Sequence, residues 1–191
     1  MQPHLALFAR YPEPGQCKTR LIPALGQRGA ADMHRKLVER TLAVMRASGL
    51  PFTVWITGAA AEAFRQWLGP DVDLQEQGPG DLGDRLARVP APMILIGADI
   101  PDLTADHLRS AVTALQEAPF VMGPAEDGGY YLLGCAQAAP FLFTAIAWGG
   151  DTVAAETRHR IAARGMDCVK LEPLADLDRP EDLHRWPGLL A

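Results

Sequence analysis

The run His4-Leu5-Ala6-Leu7-Phe8-Ala9-Arg10 leads directly into Tyr11-Pro12-Glu13-Pro14-Gly15-Gln16-Cys17-Lys18-Thr19-Arg20-Leu21. The first half is a short apolar run that reads as a buried strand. The second half is a loop with two prolines, a glycine and the cations Lys18 and Arg20; Arg10 stands at its entrance, and a helical pattern follows. In an α/β protein, ligands sit outside the carboxyl ends of the strands. A cationic loop at such an end, with backbone amides left free by glycine, suits a phosphorylated ligand. The loop lacks the Gly-x-x-x-x-Gly-Lys-Ser/Thr pattern of the P-loop, which disfavours that class of nucleotide site. Lys18 and Arg20 flank Thr19 and share one face if the loop is extended.

Outward from this stretch, apolar runs alternate with helical patterns. Further strands are expected at Phe52–Thr57, Met93–Gly97, Phe120–Met122, Tyr130–Leu133 and Asp167–Leu171, after Leu5–Phe8. Helices are expected at about 27–48, 59–68, 104–117 and 152–164. The third is the clearest, because Leu108, Ala111, Val112 and Leu115 fall at i, i+3, i+4 and i+7. Thr104 is its candidate N-cap, and Asp106 lies in its first turn. The alternation implies a three-layer α/β/α sandwich around a mostly parallel, Rossmann-like sheet. The closely spaced Phe120–Leu133 region is a candidate antiparallel excursion.

The chain has 191 residues, 48% of them hydrophobic and 21% charged, which is ordinary for a globular protein and is read as one domain over 1–191. No basic region followed by a long apolar segment opens the chain, and no apolar run reaches the length of a membrane span. Cys17, Cys135 and Cys168 are isolated and odd in number, giving neither zinc spacing nor a disulfide framework, so a cytoplasmic location is expected. A net charge of −5 argues against general nucleic-acid binding. Residues 1–50 hold eight Lys/Arg against three Asp/Glu, and the remainder holds ten against twenty. One end supplies cations and the other carboxylates, which fits a site gripping phosphates from one side and a metal from the other, and fits equally an uneven scatter of solvated surface charge.

Four downstream segments carry candidate chemistry. Met93-Ile94-Leu95-Ile96-Gly97-Ala98-Asp99-Ile100-Pro101 is a strand ending in Gly-x-Asp-x-Pro, which sends Asp99 off the carboxyl edge. Magnesium binds through one or two carboxylates plus substrate phosphates, so one well-placed aspartate suffices. Glu126-Asp127-Gly128-Gly129 lies between two strand-like segments. Asp-Gly-Gly is a hairpin signal in itself, and it also lets backbone approach a ligand while an acid binds a hydroxyl, a metal or a proton. Tyr130 and Tyr131 point to opposite faces if extended. Gly78-Pro79-Gly80-Asp81-Leu82-Gly83 leads into a short helix and reads equally as a ligand contact or as plain punctuation. Asp176-Leu177-Asp178-Arg179-Pro180-Glu181-Asp182 adds carboxylates, with Asp178 and Glu181 at the spacing of a capping box. The five histidines show no cluster and receive no role.

Taken together, these elements resemble a bacterial family described as candidate nucleotide-diphospho-sugar transferases with a glycosyltransferase-A fold. The resemblance runs in order through Pro-Gly-x-x-Lys-Thr-Arg-Leu (14–21), Gln-Gly-x-Gly-Asp-Leu-Gly-x-Arg (77–85), Gly-x-Asp-x-Pro-x-Leu (97–103), Gly-Pro-Ala-x-Asp-Gly-Gly-Tyr (123–130) and Asp-x-Asp-x-Pro-Glu-Asp-Leu (176–183). That family is similar in turn to cytidylyl- and guanylyltransferases, including the molybdopterin and phospholactate guanylyltransferases. The resemblance implies that Lys18 and Arg20 contact nucleotide phosphates, that Asp99 holds a divalent metal (Mg²⁺ or Mn²⁺), and that Asp127-Gly128-Gly129 faces the acceptor or sugar. Asp178 is the second candidate metal ligand. Arg10, Gly15, Gly80 and Asp81 join Lys18, Arg20, Gly128 and Gly129 as candidate donor contacts. The chain departs from the family after Trp148, where hydroxyl residues are often found and Gly149-Gly150-Asp151 stands here.

The expected function is metal-dependent transfer from a nucleotide or nucleotide-sugar donor to a small-molecule acceptor. Asp99 anchors the metal, Lys18 and Arg20 neutralise the departing phosphate, and Asp127 lies near the acceptor as a candidate base. Two reaction classes share these parts. A glycosyltransferase, the first choice, breaks the sugar–phosphate bond and releases a nucleoside diphosphate; a nucleotidyltransferase attacks the α-phosphate of an NTP and releases pyrophosphate. A non-catalytic nucleotide-sensing module is the alternative from another class. Donor base, acceptor and oligomeric state are not written in the sequence.

Overall fold

The structure is a computed structural model that describes residues 2–190. Seven strands form one sheet: β1 (His4–Arg10), β2 (Phe52–Thr57), β3 (Leu74–Glu76), β4 (Met93–Ile96), β5 (Phe120–Pro124), β6 (Tyr130–Cys135) and β7 (Cys168–Lys170). Their spatial order is β3-β2-β1-β4-β6-β5-β7. Pairing is parallel from β3 through β4 and between β5 and β7, and β6 runs antiparallel to both its neighbours. The antiparallel excursion expected around 120–133 is therefore β6, joined to β5 by the Asp-Gly-Gly turn.

The strands are built by alternation. Leu5, Leu7 and Ala9 of β1 pack into one cluster, with Val54, Ile56, Ile94 and Ile96 of neighbouring strands. Ala6 packs into a second cluster on the opposite face, with Phe8 beside it. Period-2 side-chain direction sends successive residues to opposite sides, and both sides are covered. Helices α1 (Ile22–Ser48), α2 (Ala61–Leu68) and α4 (Ala105–Glu117) bury residues such as Val38, Phe64 and Leu108 in the first cluster. Helices α3 (Leu82–Leu86) and α5 (Val153–Ala162) close the other face through Leu86 and Ile161. The three layers of an α/β/α sandwich are complete.

Helix boundaries follow their breakers. Gly26 has φ 70° and ψ 172°, which no helix accommodates, so the long regular part of α1 begins at Gln27 as the sequence pattern predicts. Gly49, at φ 72°, ends it in the left-handed conformation common after helices. Thr104 caps α4 by accepting the His107 amide. The short strand β3 escaped the sequence pattern because only its first residue, Leu74, is even half-buried.

The C-terminal segment matters most for the site. A third apolar cluster joins Leu21, Ala30, Met33 and Leu37 to Leu177 and Leu183. It clamps the end of the chain over the start of α1. Leu174 pairs with Ala125, and the Leu177 amide donates to the Asp99 carbonyl at 2.8 Å. Arg185 pairs with Glu126 at 2.7 Å, and the Trp186 indole donates to Asp102. The segment thus bridges the loops that follow β4 and β5. Among the described residues, no helix is long and apolar enough to cross a membrane.

Candidate functional site

Strand connections leave β1 toward β2 on one side, while β4 pairs on the other, so the sheet order reverses between β1 and β4. Crevices at such a switch point are where open α/β sheets bind ligands. Two adjacent cavities open here. One, of about 290 Å³, is lined by Arg10, Lys18, Arg20, His34, Asp99 and Asp178, among others. The second, of about 230 Å³, passes Gly97 after β4 and reaches Asp127, Gly129 and Trp148.

Lys18 organises the first cavity. Its side chain is only 4% exposed, and the ammonium donates to the Leu177 carbonyl (2.6 Å), Asp99 Oδ1 (2.8 Å) and Asp178 Oδ1 (3.4 Å). Arg20 Nη1 reaches Asp178 Oδ2 at 2.6 Å. The loop is not extended, the conformation in which Lys18 and Arg20 would share one face by alternation. Lys18 adopts φ 45°, ψ 44° and Thr19–Leu21 forms a turn of 3-10 helix, so the two cations meet on Asp178 through a tight turn. A left-handed lysine is unfavourable by about 1–2 kcal/mol, and the contacts of its buried ammonium with Leu177, Asp99 and Asp178 offset that cost.

Charge states follow from this packing. Burial opposes the charged form of Lys18, but Asp99 and Asp178 outweigh it and raise its pKa. Burial likewise works against the Asp178 carboxylate, yet Lys18 and Arg20 hold it below the usual carboxylate range. Asp176 lies on the same segment but makes no ion pair among the described residues, and Lys18 lowers its pKa only as a minor influence. Burial, with a contribution from Asp127, pushes its pKa to about 6.

A capping box from Asp178 to Glu181 is not formed. The Asp182 carboxylate accepts the Asp178 and Arg179 amides instead, one position further along. This frees the Asp178 side chain to face Lys18 and Arg20. His34, given no role from the sequence, lines the same cavity. Its Nε2 lies 3.0 Å from the Arg10 carbonyl, so Nε2 carries the proton, and burial lowers its pKa. Only its place on the site-facing side of α1 could have flagged it.

The second cavity lies across β4. The Asp127 Oδ1 accepts the Gly129 amide at 2.8 Å, an Asx-type turn that fixes the hairpin. Tyr130 and Tyr131 do go to opposite faces, into the second and first clusters respectively. The loop 143–151 roofs the cavity and fits only because two neighbours are glycines. A Cβ on Gly128 would lie 1.9 Å from the Asp151 carbonyl oxygen, and one on Gly83 would lie 2.1 Å from that of Phe143. Gly128 also requires φ 90°.

The structure therefore gathers Arg10, Lys18, Arg20, Asp99 and Asp178 around one cavity, and Asp127 and Gly129 at the other. Gly15, Gly80, Asp81 and Gly128 line neither. Asp81 instead caps α3 by accepting the Asp84 amide at 2.8 Å. For a divalent cation, hard carboxylate oxygens are the right donors. Asp99 and Asp178 already converge on a cationic centre, the Lys18 ammonium. Asp99 is 50% exposed and so accessible from the cavity. Among the described residues no group of three or more His, Cys, Asp or Glu is placed to hold a metal, so a cation here would complete its shell with substrate phosphates and water.

A mostly parallel α/β sheet with its cavities at the β1/β4 switch point is the nucleotide-diphospho-sugar transferase fold. A structure from Desulfovibrio desulfuricans G20, of a candidate nucleotide-diphospho-sugar transferase, superposes with a TM-score of 0.87 at 27% identity, covering 100% of this chain and 97% of that one. The chain belongs to the family described as "Uncharacterized protein conserved in bacteria (DUF2064)", whose model matches residues 41–150. That stretch contains Asp99 and Asp127, whereas Lys18, Arg20 and Asp178 lie outside it. Rv0371C of Mycobacterium tuberculosis H37Rv, in complex with manganese, has a TM-score of 0.57 at 17% identity over 97% of each chain. The 4-diphosphocytidyl-2C-methyl-D-erythritol synthase of Anaerococcus prevotii DSM 20548 has a TM-score of 0.64 at 10% identity, covering 99% of this chain and 96% of that one. No curated protein matches the chain.

Proposed function

We propose that the chain is an enzyme transferring a glycosyl group from a nucleotide-diphospho-sugar to a small-molecule acceptor with the help of Mg²⁺ or Mn²⁺. The observation that carries this reading is the convergence of Lys18, Asp99 and Asp178 at the switch point, one strand away from the cavity that ends at Asp127. The likeness to the Desulfovibrio protein supports the sugar donor, and the manganese complex of Rv0371C supports a divalent metal.

Asp99 and Asp178 would hold a divalent metal, which when bound would supply positive charge for the donor diphosphate. Arg20, with a 55% exposed side chain, and Arg10 are the cations placed to meet phosphate oxygens from the cavity side. Lys18 engages its three ammonium protons with Leu177, Asp99 and Asp178; it fixes the carboxylates and adds its charge from behind them. Asp127 accepts the proton of the acceptor hydroxyl. The acceptor oxygen bonds to the anomeric carbon, the bond from that carbon to the β-phosphate oxygen breaks, and the nucleoside diphosphate leaves with the electron pair.

Nucleotidyl transfer is the second reading, favoured by the shared fold of the Anaerococcus cytidylyl enzyme. Incubation with Mn²⁺ or Mg²⁺, panels of NTPs and nucleotide sugars, and mixed acceptors separates the two by the product released. Nucleoside diphosphate supports glycosyl transfer; pyrophosphate alone overturns it. Ligand-induced thermal stabilisation with no product under any acceptor marks a sensing module. Asp99→Asn is expected to lose metal-dependent nucleotide binding while remaining folded, and full retention removes Asp99 from the metal site.

A further inference from the structure

We infer that the cavity at Asp127 takes an acceptor whose reacting hydroxyl is carried on a flat apolar body about one ring in size, an aromatic alcohol rather than a free sugar. This rests on the transfer reading above and adds the acceptor class to it. The argument begins with the polar atoms of the cavity wall. Four lining side chains carry one: Asp127, Tyr130, Tyr131 and Trp148. The Tyr130 hydroxyl and Trp148 Nε1 are fully buried without a hydrogen-bond partner among the described residues, so the surfaces these residues can offer the cavity are their rings. The Tyr131 hydroxyl donates to the Glu172 carbonyl at 3.2 Å, away in the other cluster. Asp127 alone remains, and one of its oxygens is occupied by the Gly129 amide.

The rest of the wall is apolar or backbone. Phe8, Leu86, Leu95 and Val153 contribute hydrocarbon, and Gly149 and Gly150 bring no side chain at all. Leu82 stands at the mouth with 41% of its surface exposed, one of only two large apolar residues so exposed among the described residues. Among side chains a sugar enclosed here would meet only Asp127; the Gly149-Gly150 backbone can partner some of its hydroxyls, and each of the others would cost roughly 1–3 kcal/mol when buried. A ring in contact with Phe8, Tyr130 and Trp148 incurs no such cost and gains aromatic packing. Size agrees: an apolar cavity of about 150 Å³ holds benzene, and this one, at about 230 Å³, leaves room for a hydroxyl and a small substituent. Asp127 is then the one side chain of the wall able to accept the hydroxyl proton.

The test is a calorimetric titration of the intact protein, without nucleotide, using 4-methylphenol and methyl α-glucopyranoside as probes. The phenol is expected to bind at least tenfold more tightly than the glucoside. Leu82→Glu, at an exposed position, is expected to keep the melting temperature and weaken the phenol at least fivefold, while Leu82→Met restores it. Equal or tighter glucoside binding, or phenol affinity indifferent to Leu82→Glu, overturns the inference. Binding of nucleoside di- and triphosphates with Mn²⁺ is measured separately on the same proteins. Its absence with phenol binding intact sinks the nucleotide reading alone, and the reverse pattern sinks this inference alone.

Discussion

The main chains of Leu177 and Asp99 are hydrogen-bonded at 2.8 Å, and the Lys18 ammonium closes the same junction by donating to the Leu177 carbonyl and the Asp99 carboxylate. Three segments far apart in sequence are joined at one point. Lys18→Met removes the common donor and leaves Asp178 with Arg20 as its only ion pair among the described residues. The buried partner is the one removed, and the charges left behind are half exposed at Asp99 and still paired with Arg20 at Asp178, so the loss is about 1–2 kcal/mol, below the cost of stranding a buried charge. Thermal denaturation should show a melting temperature lower by roughly 2–8 °C. Because Asp178 is held below its ordinary range, its share of the stability is present at neutral pH and lost as pH falls through that depressed value. The gap between variant and wild type should therefore narrow below about pH 4. A gap that is constant from pH 7 to pH 3 removes the ion pair as the cause.

That junction also marks the limit of what the sequence discloses. The strands β1 and β4 are legible because Leu5–Phe8 and Met93–Ile96 are continuous apolar runs, as strands buried on both faces must be. Asp99 is legible because glycine and proline bracket it at a strand end. The neighbourhood of Asp178 is not, since it is created by Leu177 packing against Leu21 and pairing with Asp99, and no local pattern records either contact. The same holds for the roofed cavity. Gly83 and Gly128 look like loop punctuation until the 143–151 segment is seen lying against them. The capping-box spacing of Asp178 and Glu181 misled for the same reason, because Asp182 accepts the amides while tertiary contacts claim Asp178.

Asp176→Asn is expected to stabilise the protein at neutral pH. In the fold its pKa rises to about 6, with burial the main cause and Asp127 adding to it. A carboxyl with a raised folded pKa contributes stability below its unfolded value near 4, and loses it as pH climbs through about 6. At pH 7 the ionised group is a burden of about 1 kcal/mol after allowance for screening by solvent. The variant should melt a few degrees higher at pH 7–8, with the difference vanishing by about pH 4. An advantage that persists unchanged at pH 4 would assign the effect to something other than ionisation.

Gly128→Ala tests the roof of the cavity at Asp127. The new Cβ meets the Asp151 carbonyl oxygen at 1.9 Å with φ at +90°, and backbone on both sides must shift. Gly149→Ala is the control, for its φ is also positive at +81° but nothing lies within 4 Å. Strain alone predicts about 1 kcal/mol for Gly149→Ala, whereas strain plus displacement predicts about 2–3 kcal/mol for Gly128→Ala. Denaturant titrations of the pair would show equal losses if the 149–151 loop did not rest on the hairpin.

Thr157 lies in the middle of the buried stripe Val153–Thr157–Ile161 of α5, and its hydroxyl has no hydrogen-bond partner among the described residues. A buried, unsatisfied hydroxyl destabilises by about 1–3 kcal/mol. Thr157→Val keeps the branched shape, and helix propensity is nearly unchanged because threonine and valine rank together. Removing the orphaned group should raise stability by about 1 kcal/mol and the melting temperature by about 2–4 °C. The same substitution leaves the cavity wall at Val153 in place, so binding of 4-methylphenol should be unaffected. A lower melting temperature would mean that the hydroxyl is satisfied in solution, by a water that reaches the interior between α5 and the sheet.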